Sequence, residues 1–559
     1  MPKDPSGAPR GSEGGLSRRR FIQGAAALAA AAALPSFPGV ADAAADGSVA
    51  GGGPETAARR PSMRPNIVLL VTDQERFPQH WPDGWAERYL PNRARLARHG
   101  LTFTRGFCNS AMCSPSRATL FTGLYPAEHG VTETLQSGSD HADQRTLQPT
   151  TQNIARMLAS AGYDVEYRGK WHMSKDASGT LPVQSPRDLE RYGFGGWLPP
   201  DGGLDQDPTG FGGGDADLDA GYAEQAATFL RNVDPRSPTP FALVVTLVNP
   251  HDLMAYPSVW DQASLSDIPP FKGSHNYGAD APGCFEQDID LPSTVDEHLE
   301  RNFKPSAQAR STPMWASGLG TLLTPEEQLD YVNFYAFLHR ESDRHIGTVL
   351  DALDSRPVLR DRTIVFRLAD HGEMGLAHGG MREKAYNAYE ESIHVPLVVS
   401  NPQLFPGPVQ TGALASLIDL MPTLATLAAV PDPGRWTFRG RDLTPIIRDA
   451  ADHPDHPTAQ VQESILFTTD ETLGEGIVGQ PSHVRCLREA DAKFAMWFDP
   501  SGKATSEYEL YDLVADPDEL HNMADPASPW YDAGRTAEMR AKLLTRMIET
   551  GTAPVRSKS

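Results

Sequence analysis

The sequence predicts an α/β fold: a large mixed, mostly parallel sheet with helices on both faces, plus a small C-terminal antiparallel-sheet subdomain with a helix. Three observations predict it. Apolar runs such as Ile67-Val68-Leu69-Leu70-Val71 are unbroken, the pattern of strands covered on both faces. Segments of helical periodicity lie between these runs, as crossover-connected strands require. Past residue 455 the pattern changes to short strands separated by turns.

The chain begins with an address. Ser17-Arg18-Arg19-Arg20-Phe21-Ile22 precedes Gly24 and an alanine run to Leu34. Paired arginines before a short, weakly apolar stretch read as a twin-arginine export signal over residues 1–43, with Ala41-Asp42-Ala43 as a small-x-small cleavage site. The apolar run, roughly 11 residues, is short for a span of about 20. The mature chain is therefore expected to be exported by the twin-arginine machinery, periplasmic or extracellular in a bacterium, with no stable membrane span. Residues 44–64 are Ala/Gly/Pro-rich and read as a linker, 65–454 as the main domain, and 455–559 as an α+β subdomain.

Within the main domain, Asn66 to Thr72 is the first buried strand and ends on Asp73. Val165 to Arg168, Phe241 to Val248 and Val395 to Val399 follow the same pattern. Thr363 to Ala369 repeats the first strand and ends on Asp370. The clearest helix runs from Thr324 to Leu353, with Thr324 as N-cap, Pro325 at N1 and Glu327 completing a capping box. Residues 201–220 are Gly/Asp-rich and read as a mobile surface loop, with a lid or a calcium loop as alternatives. The late strands are centred on 464–467, 484–487, 494–497 and 508–511, and a last helix covers Ala537 to Thr550.

Composition excludes one class. Lys+Arg 50 against Asp+Glu 72 gives a net charge of −22, which disfavours a nucleic-acid partner because phosphate binding needs a basic surface. Four cysteines in 559 residues do not make a disulfide scaffold.

Two strands end in carboxylates with polar neighbours, Asp73-Gln74 and Asp370-His371. Ligands of open α/β sheets bind at the carboxyl ends of strands. Two carboxylates, an amide oxygen and an imidazole suit one hard divalent cation, Ca2+, Mg2+ or Mn2+. Cys113 stands among Ser114, Pro115, Ser116 and Arg117 in front of a helical segment, where the arginine places fixed charge beside a nucleophile or an anion.

Here the chain resembles the formylglycine-dependent sulfatase family of the alkaline-phosphatase-like superfamily. The family signature is Cys-x-Pro-Ser-Arg, four residues, then Thr-Gly, and Cys113 through Gly123 matches it at each fixed position. Gly169-Lys170-Trp171-His172, Pro250-His251, Asp370-His371-Gly372, Lys384 and the run from Glu509 to Asn522 match further family motifs in order. The resemblance implies a sulfuric ester hydrolase in which a formylglycine-generating enzyme oxidises Cys113 to formylglycine. One hydroxyl of its hydrate attacks sulfur, and the second expels sulfate. It implies Asp73, Gln74, Asp370, His371 and the group at Cys113 as cation ligands. Arg117 and Lys170 would neutralise charge, His172 would deprotonate the second hydroxyl, and His251 and Lys384 would serve the leaving oxygen. The substrate expected is a small-molecule or saccharide sulfate ester. One departure stands out: most of the family has Asp-Asp where this chain has Asp73-Gln74. Glutamine there also occurs in relatives that cleave phosphonate or phosphate esters, so a phosphonate monoester hydrolase or phosphodiesterase is the alternative. An inactive binding protein of the same fold is a third.

Overall fold

An unbroken apolar strand needs cover on both faces, and the fold supplies it. The structure, a computed structural model, describes residues 64–554 except 78, 139, 140, 260–280 and 282. The export signal and nearly all of the linker lie outside the described residues. The strands are β1 (Asn66–Thr72), β2 (Gly100–Phe103), β3 (Gly106–Phe107), β4 (Asp164–Gly169), β5 (Phe241–Thr246), β6 (Thr363–Ala369), β7 (Leu397–Ser400), β8 (Val409–Thr411), β9 (Ala415–Ser416), β10 (Ser464–Thr469), β11 (His483–Glu489), β12 (Ala492–Phe498) and β13 (Glu507–Asp512). A seven-stranded sheet runs in the order β4-β5-β1-β6-β7-β2-β8. The four strands β4, β5, β1 and β6 are parallel, and β7 enters antiparallel to β6 and β2. The predicted mixed, mostly parallel sheet is thus present.

Alternate residues of β1 enter different cores. Ile67, Leu69 and Val71 face one cluster. Val68 and Leu70 face another, closed by Ala223, Ala226 and Leu230 of the helix Leu218–Asn232 and by Ile346, Val349 and Leu350 of the helix Pro325–Asp354. The second of these begins with the predicted capping box: Glu327 N–H donates to Thr324 Oγ1 at 3.2 Å, and Thr324 N–H to Glu327 Oε2 at 2.9 Å.

The C-terminal strands form the expected antiparallel sheet, β10-β11-β12-β13. The helix Ala533–Glu549 lays Met539, Leu543 and Met547 onto Leu487, Phe494 and Met496. The described residues belong to one compact unit, so the two sheets are parts of a single body. None of the described helices is long and apolar enough to cross a membrane. All four cysteines are buried and unpaired.

The Gly/Asp-rich segment 201–220 is only partly a surface loop: Asp205, Thr209 and Asp215 are exposed, whereas Asp201, Gly202, Gly203 and 211–213 are buried. Asp201 accepts from the backbone N–H groups of Trp171 and His172 at 2.6 and 3.1 Å, and Gly212 and Gly213 donate to Asp252. Many small residues signal loops in general, but here they let the chain pack against the end of β4.

Gly169 ends β4 at φ +100°, and a Cβ there would stand 1.8 Å from the carbonyl oxygen of Thr246 on β5. Gly169→Ala is expected to lower the free energy of unfolding by about 3 kcal/mol, read by denaturant titration. A change within about 0.5 kcal/mol would show that the strand ends separate freely.

Candidate active site

The site lies where parallel strands deliver their carboxyl ends together. Thr72 of β1 pairs in register with Ala369 of β6, so Asp73 and Asp370 emerge side by side. Both are fully buried. Two adjacent buried carboxylates repel and need a cation between them. Arg117 supplies it: Nη2 lies 3.0 Å from Asp73 Oδ2, Nε lies 2.9 Å from Asp370 Oδ2, and Nη1 donates to the Lys170 carbonyl at 3.0 Å.

The spacing of the signature follows from the helix it forms, Cys113–Thr122. Cys113 opens the first turn, where the helix dipole favours negative charge on sulfur. Arg117 is four residues on and shares that face. Ser116 Oγ donates to the Asp370 carbonyl, fixing the helix to β6. Ser114 Oγ accepts from Leu135 N–H at 3.1 Å. Gly123 caps the C-terminus at φ +66°, where a Cβ would also meet Met421 Sδ at 2.9 Å. The signature thus encodes a cysteine at the helix N-terminus, an arginine on the same face and a helix stop.

Cys113 Sγ lies 3.5 Å from Asp73 Oδ1 and 3.2 Å from His371 Nε2. Ligand atoms of Asp73, Cys113, Asp370 and His371 all fall within 4.8 Å of one another. Burial pushes the Cys113 thiol up, but Lys170, Lys384 and His371 more than reverse this and hold it well below the usual thiol range. Burial and Cys113 raise Asp73, yet Lys170, His251 and Arg117 hold it below the carboxylate range. Burial and the neighbouring Asp73 push Asp370 up. Burial lowers His371, but Asp370 and Cys113 raise it to about 9.

The other predicted residues gather here too. Lys170, next after β4, places Nζ 2.6 Å from Asp73 Oδ2 and donates to the Gly203 carbonyl. His172 sets Nε2 2.8 Å from the Leu135 carbonyl, which fixes the Nε2–H tautomer and leaves Nδ1 as a base without a hydrogen-bond partner among the described residues. His251 follows β5, is buried, and its Nδ1 has no hydrogen-bond partner there either. Lys384, in a charged run that reads as surface, is buried; it donates to Gln74 Oε1 and Glu383 Oε2, both at 2.7 Å. Cys113, His172, His251 and Lys384 line one cleft of about 440 Å³.

Gln74 stands beside the Asp73–Cys113–Asp370–His371 group. Its amide oxygen accepts from Lys384, and its amide nitrogen donates to Glu373 Oε2 at 2.6 Å and Glu383 Oε1 at 3.1 Å. Sequence reasoning missed Glu373, Glu383 and Asp201. Glu383 touches Lys384 in sequence, but nothing local shows that it turns inward. Asp201 lies 30 residues from Trp171 in a segment whose composition reads as surface.

A second buried group involves His378. Its ring stacks on Tyr389 at 3.7 Å between centroids, Nδ1 lies 2.6 Å from Glu297 Oε2, and Nε2 lies 3.6 Å from Glu391 Oε2. Burial favours the neutral ring, but Glu391 and Glu297 outweigh it and raise His378 to about 9.

Comparison with known proteins gives the family and the fold. The sulfatase family model matches residues 65–430, and that of the C-terminal region of N-sulphoglucosamine sulphohydrolase matches 380–550. The chain is 24% identical over 503 residues to an N-acetylglucosamine-6-O-sulfatase of Bacteroides thetaiotaomicron, covering 83% of each chain. A solved structure bound to its substrate D-glucosamine-2-N,6-O-disulfate superposes with TM-score 0.64 at 19% identity, covering 89% of this chain and 100% of the other. The phosphonate monoester hydrolase of Agrobacterium radiobacter superposes with TM-score 0.62 at 21% identity, with the same coverage.

Arg117→Ala removes the cation shared by two buried carboxylates, leaving Asp73 only Lys170, and is expected to cost about 3–5 kcal/mol of stability in denaturant unfolding, with Arg117→Lys restoring only part because it lacks the fork. His378 carries a stability term with a defined pH window. Its folded pKa is about 9 against 6.5 unfolded, so the folded state binds the extra proton between these values. That stabilisation is complete below pH 6.5 and lost as pH rises through 9. Unfolding free energies at pH 6 and 9.5 should differ by on the order of 2 kcal/mol more in the wild type than in His378→Gln.

Proposed function

The chain belongs to the sulfatase family and is a sulfatase, and from that premise we propose that it releases inorganic sulfate from an organic or carbohydrate sulfate ester with the group at position 113 as nucleophile. The carrying observation is the meeting of Cys113 Sγ with Asp73 and His371 under Lys170, Lys384, His172 and His251. The relatives named for sulfated sugars support a saccharide among the substrates.

The four converging ligand atoms fit a hard divalent cation, because two carboxylates and an imidazole are buried together with their ligand atoms within 4.8 Å of one another. Asp73, Asp370, His371 and the group at 113 would hold Ca2+, with Mg2+ or Mn2+ as alternatives, and Gln74 would join through the second lone pair of its amide oxygen. When bound, the ion polarises a sulfate oxygen and acidifies the attacking hydroxyl.

We infer that Cys113 is converted to formylglycine, whose hydrate offers one hydroxyl to attack sulfur and a second to expel sulfate. The sulfur then marks where those oxygens stand. Cys113 is 2% exposed, so a modifying enzyme reaches it only before folding. Twin-arginine export of an already folded chain to the periplasm or beyond is consistent with that order. Each side chain has a task set by its place. Arg117 and Lys170 hold Asp73 ionised and oriented. His172 Nδ1 takes the proton of the second hydroxyl. Burial lowers Lys384, but Glu383, Cys113 and Asp73 hold it protonated, so with His251 it meets the negative charge that grows on the leaving oxygen.

Gln74 favours a second reading, a phosphonate monoester hydrolase or phosphodiesterase with the same nucleophile. Side-by-side turnover of an aryl sulfate and an aryl phosphonate decides between them: faster sulfate release supports the first.

For protein made beside a formylglycine-generating enzyme, mass spectrometry of the Cys113 peptide should show an aldehyde in place of the thiol; full esterase activity with an intact thiol sinks the proposed nucleophile. Cys113→Ala should lower kcat by at least about 10³-fold while the protein stays folded. Chelation should abolish turnover, and Ca2+ should restore it.

A further inference from the structure

The cleft above Cys113 has a charged floor and an uncharged wall. The basic side chains that line it, His172, His251 and Lys384, already serve the sulfate end in the proposed reaction. Among the described residues no other lysine, arginine or histidine lines it, and its carboxylates are Asp205 and Glu383, the second paired with Lys384. Its apolar lining comes from Met254, Met314, Trp315, Leu319, Leu473 and Ile477, beside the uncharged polar residues Thr134, Gln136, Ser137, Gln206 and Ser317.

Met314 and Trp315 belong to the helix Ser306–Leu319 and are buried. Beside Met314 the cleft is lined by Gly474, which adopts φ +72°, and a Cβ there would stand 1.9 Å from Met314 Sδ. Glycine at 474 therefore lets the helix close on the cleft. Ile477 continues the wall to the rim, where it is 55% exposed. A single exposed isoleucine needs no explanation, but one that extends a buried apolar wall adds surface for a ligand to cover.

The two halves treat substrates differently. A second sulfate or carboxylate on the alcohol portion would lose water in a cleft of about 440 Å³ where, among the described residues, no further lysine, arginine or histidine lines the wall to pair with it, while Asp205 would repel it. An apolar face of the alcohol would instead release water from the wall. We propose that the cleft selects sulfate esters whose alcohol presents an apolar face and carries no second anionic group, aryl sulfates being the simplest case, with Trp315 and Ile477 as specificity-determining residues. This rests on the sulfate ester hydrolase reading and narrows it.

Two measurements keep the claims separate. Calorimetry on the Cys113→Ala protein loaded with Ca2+ compares binding of 4-nitrophenyl sulfate and D-glucosamine-2-N,6-O-disulfate. The aryl ester is expected to bind at least about tenfold more tightly. In the active enzyme, Trp315→Ala and the rim variant Ile477→Asp should each raise KM for 4-nitrophenyl sulfate about tenfold while kcat stays within about threefold. Tighter binding of the disulfate, or aryl binding unmoved by both substitutions, overturns the proposal. A protein that shows the expected binding order yet hydrolyses only 4-nitrophenyl phenylphosphonate upholds the cleft and refutes the reaction class.

Discussion

One buried guanidinium holds the site together. β1 and β6 are paired in parallel, so their terminal carboxylates must sit side by side, and at zero exposure that juxtaposition is costly without a cation. Arg117 answers both carboxylates and a backbone carbonyl with one planar fork. The same contacts hold the helix carrying Cys113 against the ends of three parallel strands. The positions of Cys113 and of the two strand-end carboxylates are therefore set together.

Charge around the pocket is arranged in layers. Lys170 reinforces Asp73 from the β4 side, and Lys384 approaches from the far side through Gln74. Glutamine at position 74 has a local reason. A carboxylate there would face Glu373 and Glu383, both within hydrogen-bond distance of the present amide nitrogen. The amide donates to both and still accepts from Lys384. The departure from the family pattern is thus one part of a buried group that includes two glutamates, and its consequence for the cation follows from that group as a whole.

The C-terminal sheet also supports the nucleophile. Thr468 of β10 donates its backbone N–H to the Asn109 carbonyl at 2.9 Å, four residues before Cys113. Glu471 accepts from Thr134 N–H at 2.8 Å, and Trp497 Nε1 donates to the Tyr386 carbonyl at 3.1 Å. The change of pattern near residue 455 marks a second sheet with its own small core, and these contacts make it part of the same body.

Much of this was legible in the chain itself. Unbroken apolar runs determined the parallel sheet, because both faces of such strands must be covered. The strand-end aspartates marked where the buried carboxylates gather, and the capping box at Thr324 determined where the long helix begins. The spacing from Cys113 to Gly123 determined a helix with the cysteine and Arg117 on one face. Those are local properties, fixed by periodicity and by which backbone angles a residue tolerates. Tertiary structure alone decided which charges turn inward. Glu373, Glu383 and Asp201 read as surface residues because a carboxylate's burial depends on partners far away in the chain. It also decided that segment 201–220 is packed against the end of β4, and that Met314, Trp315 and Ile477 share one wall, since side chains from separate elements meet only after the sheets have closed.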